Sequence, residues 1–308
     1  MIPQKILIDT DPGIDDAMAV LFACQHSQLD VLGLTSIFGN VTVDVATRNA
    51  LRLVELAGQD IPVARGADGP LAQPPLPVAD FIHGTEGFGH IPPEEPKGRA
   101  DRRTAAHFIC DQINHHPGEI ILCPIGPLTN LALALEQDHS IAEKVKNVRV
   151  MGTSLRAGGN ATAVAEANIW QDPHAAEVVF GAPWDVTLVG LDVTYQAICT
   201  AREFAALAEQ APKFGGFLNQ AAQIYFDFHE QAKGIKGCYM HDAMAVISII
   251  RPDLFQILED HVEVILDGEH SGATRLSLDP THARLRWCAD VDAKAVKEIF
   301  FTTLQAAG

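Results

Sequence analysis

The segment Asp9-Thr10-Asp11-Pro12-Gly13-Ile14-Asp15-Asp16 places four carboxylates within eight residues. Carboxylates this close repel one another, and burying them together is costly or forces protonation unless a cation joins them. Helix capping, with Asp at an N-terminus and Pro early in the helix, accounts for one or two of the acids, not four. The spacing is not that of an EF-hand: counting from Asp9 as the first loop position, the twelfth is Val20 rather than Glu. Oxygen-only ligands favour a hard cation, Ca²⁺ or Mg²⁺, over zinc. Other polar groups recur downstream at Gly39-Asn40, His83-Gly84, Asn160, Glu166-Ala167-Asn168 and His241-Asp242. Taken singly these read as loop polarity or helix caps, and His83 as a loop histidine. Tyr225, His229 and Tyr239 flank a glycine-rich break from Gly234 to Gly237 and singly read as helix packing.

The elements that must position these groups alternate between short β-rich runs and helical stretches. Lys5 to Ile8 reads as a strand and Asp15 to Gln25 as a helix, with Ala17, Val20, Leu21 and Cys24 at helical spacing. Strands are expected at Val31 to Ile37, Pro62 to Ala64, Ile120 to Cys123, Val148 to Met151, Val186 to Leu191, Val262 to Leu266 and Arg284 to Cys288. Helices are expected at Asp44 to Ala57, Arg103 to His115, Leu128 to Glu136, Asp172-Pro173 to Phe180 and Ala293 to Leu304, with a mostly helical region from Ala201 to Ile250. Residues 66–100 carry seven prolines, from Pro70 to Pro96, and read as a long irregular excursion. A glycine-containing loop is expected from Gly158 and Gly159 to Asn168. The pattern predicts one α/β domain over residues 1–308: an open, mainly parallel, Rossmann-like sheet flanked by helices, with a helical C-terminal lid region. In such sheets ligands bind beyond the carboxyl ends of the strands, and that is where the polar residues fall.

Composition narrows the function classes. Lys and Arg number 22 against 39 Asp and Glu, a formal charge of −17, which repels phosphate backbones and weighs against a general nucleic-acid binder. With 47% apolar and 20% charged residues the chain is not a disordered acidic tail. Six scattered cysteines without a C-x-x-C pair fit reduced thiols and a cytoplasmic location. No signal peptide is read at the start, and the apolar stretch Ile120 to Leu135 is too interrupted by Pro, Gly, Thr and Asn for a membrane span.

Together the polar groups resemble the nucleoside hydrolase family (inosine-uridine preferring nucleoside hydrolases). Asp9 to Asp16 is similar to that family's D-x-D-P-G-x-D-D signature in full. The similarity continues in order through Gly39-Asn40, His83-Gly84, Gly126-Pro127-Leu128-Thr129-Asn130, Met151-Gly152, Glu166-x-Asn168, Asp172-Pro173 and His241-Asp242, covering nearly the whole chain. Two departures stand out: Thr153 replaces a second glycine after Met-Gly, and Ala167 a bulky residue between Glu and Asn.

The resemblance implies hydrolysis of the N-glycosidic bond of ribonucleosides, a step in nucleoside salvage. It implies one Ca²⁺ held by Asp11, Asp16, Asp242 and the Ile125 carbonyl, a water whose pKa the metal lowers, and Asp11 as the group taking its proton. Asp15, Asn40, Glu166, Asn168 and Asp242 would grip the ribose hydroxyls, with Asn160 near the 5′-hydroxyl and Met151 against the sugar. His241 would serve the leaving base as acid or hydrogen-bond donor. His83 would line the base pocket, and Tyr225, His229 and Tyr239 would belong to a mobile flap. Broad or pyrimidine and inosine preference, and a homodimer or homotetramer, are further implications. Two other readings compete with it. A D-x-D phosphatase would use Asp9 as nucleophile and Asp11 as acid/base, but no lysine and second acidic cluster match it. A calcium-dependent nucleoside- or ribose-binding protein without turnover would leave the intact Asp11 unexplained.

Overall fold

The run Ile6, Leu7, Ile8 is apolar on both strand faces, the pattern of a strand covered on both sides. In the computed structural model, which describes residues 2–308, it forms the middle of β1 (Gln4–Thr10) and is fully buried. The strands that follow are β2 (Leu29–Ser36), β3 (Val63–Arg65), β4 (Ile120–Pro124), β5 (Asn147–Met151) and β6 (Val186–Val189). Next come β7 (Ile198–Thr200), β8 (Gly237–Tyr239), β9 (Phe255–Val264), β10 (Thr274–Ser277) and β11 (Ala283–Val291). Nine of them form one sheet in the order β10-β9-β11-β6-β5-β4-β1-β2-β3. From β3 to β11 the pairings are parallel, while β9 runs antiparallel to both β11 and β10. The first six strands thus lie as 3-2-1-4-5-6, the doubly wound order, whose direction of winding reverses between β1 and β4.

Helices cover both faces. One core packs the helices Ile14–Gln25, Val43–Ala57, Pro212–Lys233, His241–Ile250 and Ala293–Ala306 over one side of the sheet. The other core packs Ala105–His115, Thr129–Gln137 and Pro173–Gly181 over the opposite side. Among the described residues no helix is long and apolar enough to cross a membrane.

Several expected elements shift. The strand expected to reach Leu191 stops at Val189, because Gly190 opens a one-turn helix, Leu191–Thr194, whose first N–H bonds the Thr153 carbonyl. The strand expected at Val262 to Leu266 overlaps only the end of the longer β9, which stops at Val264. Gln256, Glu259 and Asp260 interrupt its apolar pattern because the strand is only partly buried before Val262. The strands β7 and β8, which pair antiparallel although far apart in sequence, and β10 are each too short to show a period. Asn168 lies in a short helix, Ala167–Gln171, rather than at the end of a loop, and residues 66–100 contain a one-turn helix, Asp80–His83. At Asp172 the expected cap is present, its side chain accepting the Ala175 N–H at 3.0 Å with Pro173 opening the helix.

Candidate active site

The reversal between β1 and β4 leaves a crevice at their carboxyl ends, and the acidic segment leaves β1 into it. Asp15 and Asp16 occupy the first turn of the helix Ile14–Gln25, where the positive end of the helix dipole favours carboxylates. Asp16 is tied in place: one oxygen accepts from the Thr10 hydroxyl at 2.6 Å, the other from the Gly13 N–H at 2.9 Å and the Asn40 side-chain amide at 3.0 Å. Asp11 Oδ2 accepts the Asn40 N–H at 2.6 Å. Gly39 and Gly126 are required here, since a Cβ on Gly39 would overlap Asp11 Oδ2 and one on Gly126 would stand 2.6 Å from Asp11 Oδ1.

Two further elements bring carboxylates from far along the chain. Glu166 caps the helix Ala167–Gln171, accepting the N–H groups of Asn168 at 2.9 Å and Ile169 at 3.2 Å. Asp242 lies in the first turn of the buried helix His241–Ile250. One oxygen each of Asp15, Asp16 and Asp242 falls within a 4.8 Å cluster, a group in which Asp15 stands where Asp11 was expected. Asp11 is buried beside it, hydrogen-bonded to the same Asn40 that holds Asp16. The Ile125 carbonyl accepts from the Asn168 amide at 3.0 Å, which uses one of its two lone pairs.

These acids are buried without a counter-charge. Asp11, Asp15, Asp16, Glu166 and Asp242 are all at most 6% exposed, and among the described residues none makes an ion pair with Lys or Arg. Burial, reinforced by mutual repulsion, raises Asp11 and Asp242 well above the usual carboxylate range. The same causes push Asp15 up to about 8, and burial pushes Glu166 up to about 7. Asp11 Oδ1 and Asp15 Oδ1 are buried with no hydrogen-bond partner. Orphaned carboxylate oxygens in an all-oxygen cluster fit a hard divalent cation.

Above the acids lies a cavity of about 300 Å³. Asp15, Asn40, Ile125, Met151, Asn160, Glu166, Asn168 and Asp242 line it, together with His83 and His241. Asp11 and Asp16 are not on its wall but directly behind it. Asn160 accepts the Ala167 N–H at 2.8 Å, and Asn168 also donates to the Met151 carbonyl at 3.1 Å. His83 is buried rather than loop-exposed; its Nδ1 accepts the Ile14 N–H at 3.2 Å, and burial lowers its pKa to about 3. His241 Nδ1 lies 2.7 Å from the Thr194 hydroxyl, and burial holds its pKa well below the ordinary histidine value.

One wall is an aromatic band. Tyr225, His229 and Tyr239 all line the cavity, with ring centroids 4.4 Å apart for Tyr225–His229 and 5.1 Å for His229–Tyr239. Tyr195, missed in the sequence, joins them 4.8 Å from Tyr239 and 5.7 Å from His241. Phe81 and Phe228 meet edge-on at 5.9 Å, also on the cavity wall. Thr194, Tyr195, Phe81 and Phe228 carry no local motif; only the D-V-T turn after β6 and the proline-rich segment could have drawn attention to them. The chemistry on offer is a flat aromatic slot beside a cluster of carboxylates and amides, suited to a planar heterocycle joined to a polyol.

A model of the family described as inosine-uridine preferring nucleoside hydrolase matches residues 6–298. Uridine nucleosidase 1 of Arabidopsis thaliana is 41% identical over 272 residues, spanning 88% of this chain and 81% of that protein. A solved plant nucleoside hydrolase superposes with a TM-score of 0.95 at 36% identity, covering 99% of each chain. A solved purine-preferring ribonucleoside hydrolase from Gardnerella vaginalis superposes with a TM-score of 0.94 at 30% identity, again over 99% of each chain.

Proposed function

Since the chain belongs to the inosine-uridine preferring nucleoside hydrolase family, and is thereby an N-glycosyl hydrolase of ribonucleosides, we propose that its cavity hydrolyses pyrimidine nucleosides and inosine with the aid of calcium. The observation that carries the reading is the convergence of Asp11, Asp15, Asp16, Glu166 and Asp242, buried and unpaired, beneath an aromatic slot.

Asp11, Asp16, Asp242 and the Ile125 carbonyl would hold the ion. When bound, a calcium ion offsets the clustered negative charge, anchors sugar hydroxyls and acidifies water. Asp11 accepts the proton of the water that attacks the anomeric carbon, and its unpartnered Oδ1 is the oxygen free to do so. Asp15, Asn40, Glu166, Asn168 and Asp242 bind ribose hydroxyls, with Asn160 at the 5′ end and Met151 beneath the sugar. Their residual negative charge favours the oxocarbenium-like transition state.

As the glycosidic bond breaks, the base takes up the bonding pair and needs a proton or a strong donor. A Thr194 hydroxyl that donates to Nδ1 leaves neutral His241 with its proton on Nε2, where it faces the base. His83 and the band from Tyr225 to Tyr195 hold the base in plane. Ribose release from uridine, cytidine and inosine, with and without chelator, tests the assignment. Turnover restored by calcium is expected; no turnover of any ribonucleoside in saturating calcium would overturn it. A homodimer or homotetramer in the cytoplasm remains part of the proposal.

A further inference from the structure

On the sheet face that carries Met151, a second set of buried polar groups takes no part in the cavity. Arg149 on β5 is level with Thr187 on β6, and Thr187 is level with Arg286 on β11. In-register neighbours share a face, so the three side chains form one row across three strands. Arg149 is only 8% exposed, yet its Nε and Nη1 are buried with no partner among the described residues. The same holds for Arg286 Nε and Thr187 Oγ1. Asp185, two residues before Thr187, pairs with Arg286 and is half exposed. Of these two neighbouring guanidinium groups Arg286, which is 37% exposed, has a carboxylate partner, and among the described residues Arg149 pairs with none. Their proximity is felt electrostatically: burial first, and then the charge of Arg286, lower the proton affinity of Arg149.

Burying a cation beside a like charge is unfavourable unless an anion offsets it, and buried donors require acceptors. Planar guanidinium forks match the oxygen spacing of tetrahedral oxoanions, and a hydroxyl between them supplies a further donor. We infer that Arg149, Thr187 and Arg286 form a binding site for a small inorganic oxoanion of the phosphate or sulfate type. The charge count favours a single small anion, because Asp185 already offsets one of the two positive charges.

The site is tested with sulfate as probe on the calcium-loaded protein, by calorimetric titration and thermal unfolding against chloride at matched ionic strength. Saturable one-site binding and a saturable rise in Tm are expected for the wild type. Arg149→Met should weaken sulfate at least tenfold, and Thr187→Val should weaken it less. Both should retain the wild-type kcat/KM for uridine, since neither residue touches the cavity. Should Arg149→Met fail to fold, Arg149→Lys keeps the charge, loses the fork, and should still weaken binding. Absence of saturable sulfate binding in the wild type, or undiminished binding in the folded Arg149 variants, would overturn the assignment in favour of water. A change of oligomeric state in Arg149→Met, without sulfate binding by the wild type, would also overturn it, assigning the arginines to a carboxylate of a second copy.

Discussion

The backbone N–H of Asn40 donates to Asp11 Oδ2 at 2.6 Å, leaving Asp11 Oδ1 buried and without a partner. One oxygen is thus held still by the loop after β2 while the other stays available for a cation or a proton. Asp11→Ala removes both. Turnover of uridine should fall by on the order of 10³-fold or more, the range for loss of a positioned base. Calcium affinity measured by calorimetry should fall with it. Folding stability in chelator should hold or rise, because one member of a repelling cluster has gone.

The ion-free protein should lose stability as pH rises through the weakly acidic range. Unfolded carboxyls lose their protons near pH 4, whereas Glu166 keeps its proton to about 7 and Asp15 to about 8. Unfolding therefore releases protons between about pH 4 and 8, so stability falls across that window and levels above it. Each tenfold difference in proton affinity is worth about 1.4 kcal/mol. Calcium should reverse the trend by favouring the ionised forms, so the rise in Tm that it causes should grow with pH. Glu166→Gln should flatten part of the slope in chelator. A Tm in chelator that climbs from pH 4 to 8 would contradict this account.

His241→Ala should cost roughly 10²-fold or more in kcat/KM on uridine and inosine. It should cost much less on p-nitrophenyl riboside, whose leaving group needs no proton. Equal losses on both substrates would remove His241 as the leaving-group donor. Thr194→Val should show the same selectivity in weaker form, because its hydroxyl sets the orientation of the ring.

Thr153 is the described non-glycine residue with positive φ, at 81°, and it is β-branched, which makes that conformation strained. Its hydroxyl is also buried without a partner. Thr153→Gly should therefore stabilise the protein by about 1 kcal/mol despite the greater freedom of glycine in the unfolded chain. The midpoint of urea unfolding reads this directly, and a lowered midpoint would show that the threonine is not strained.

Much of this molecule was legible residue by residue. The eight residues from Asp9 to Asp16 announce a cation by charge density alone, and the alternating elements announce a mainly parallel sheet, because both are properties of near neighbours in the chain. The Asp172 cap and the start of the helix His241–Ile250 are equally local. What spacing could not reveal depends on register and packing between distant segments. Asp242 reaches Asp15 and Asp16 because its helix crosses beside theirs. His83 is buried because its one-turn helix packs against the long helix Pro212–Lys233. Tyr195 meets Tyr239 because the short strands β7 and β8 pair. The row Arg149, Thr187, Arg286 exists only because three strands from different parts of the chain align. Local sequence decides which groups are available and which elements carry them. The tertiary structure decides which of those groups share a low-dielectric space, and there charges must find partners, shift their proton affinities or take up an ion.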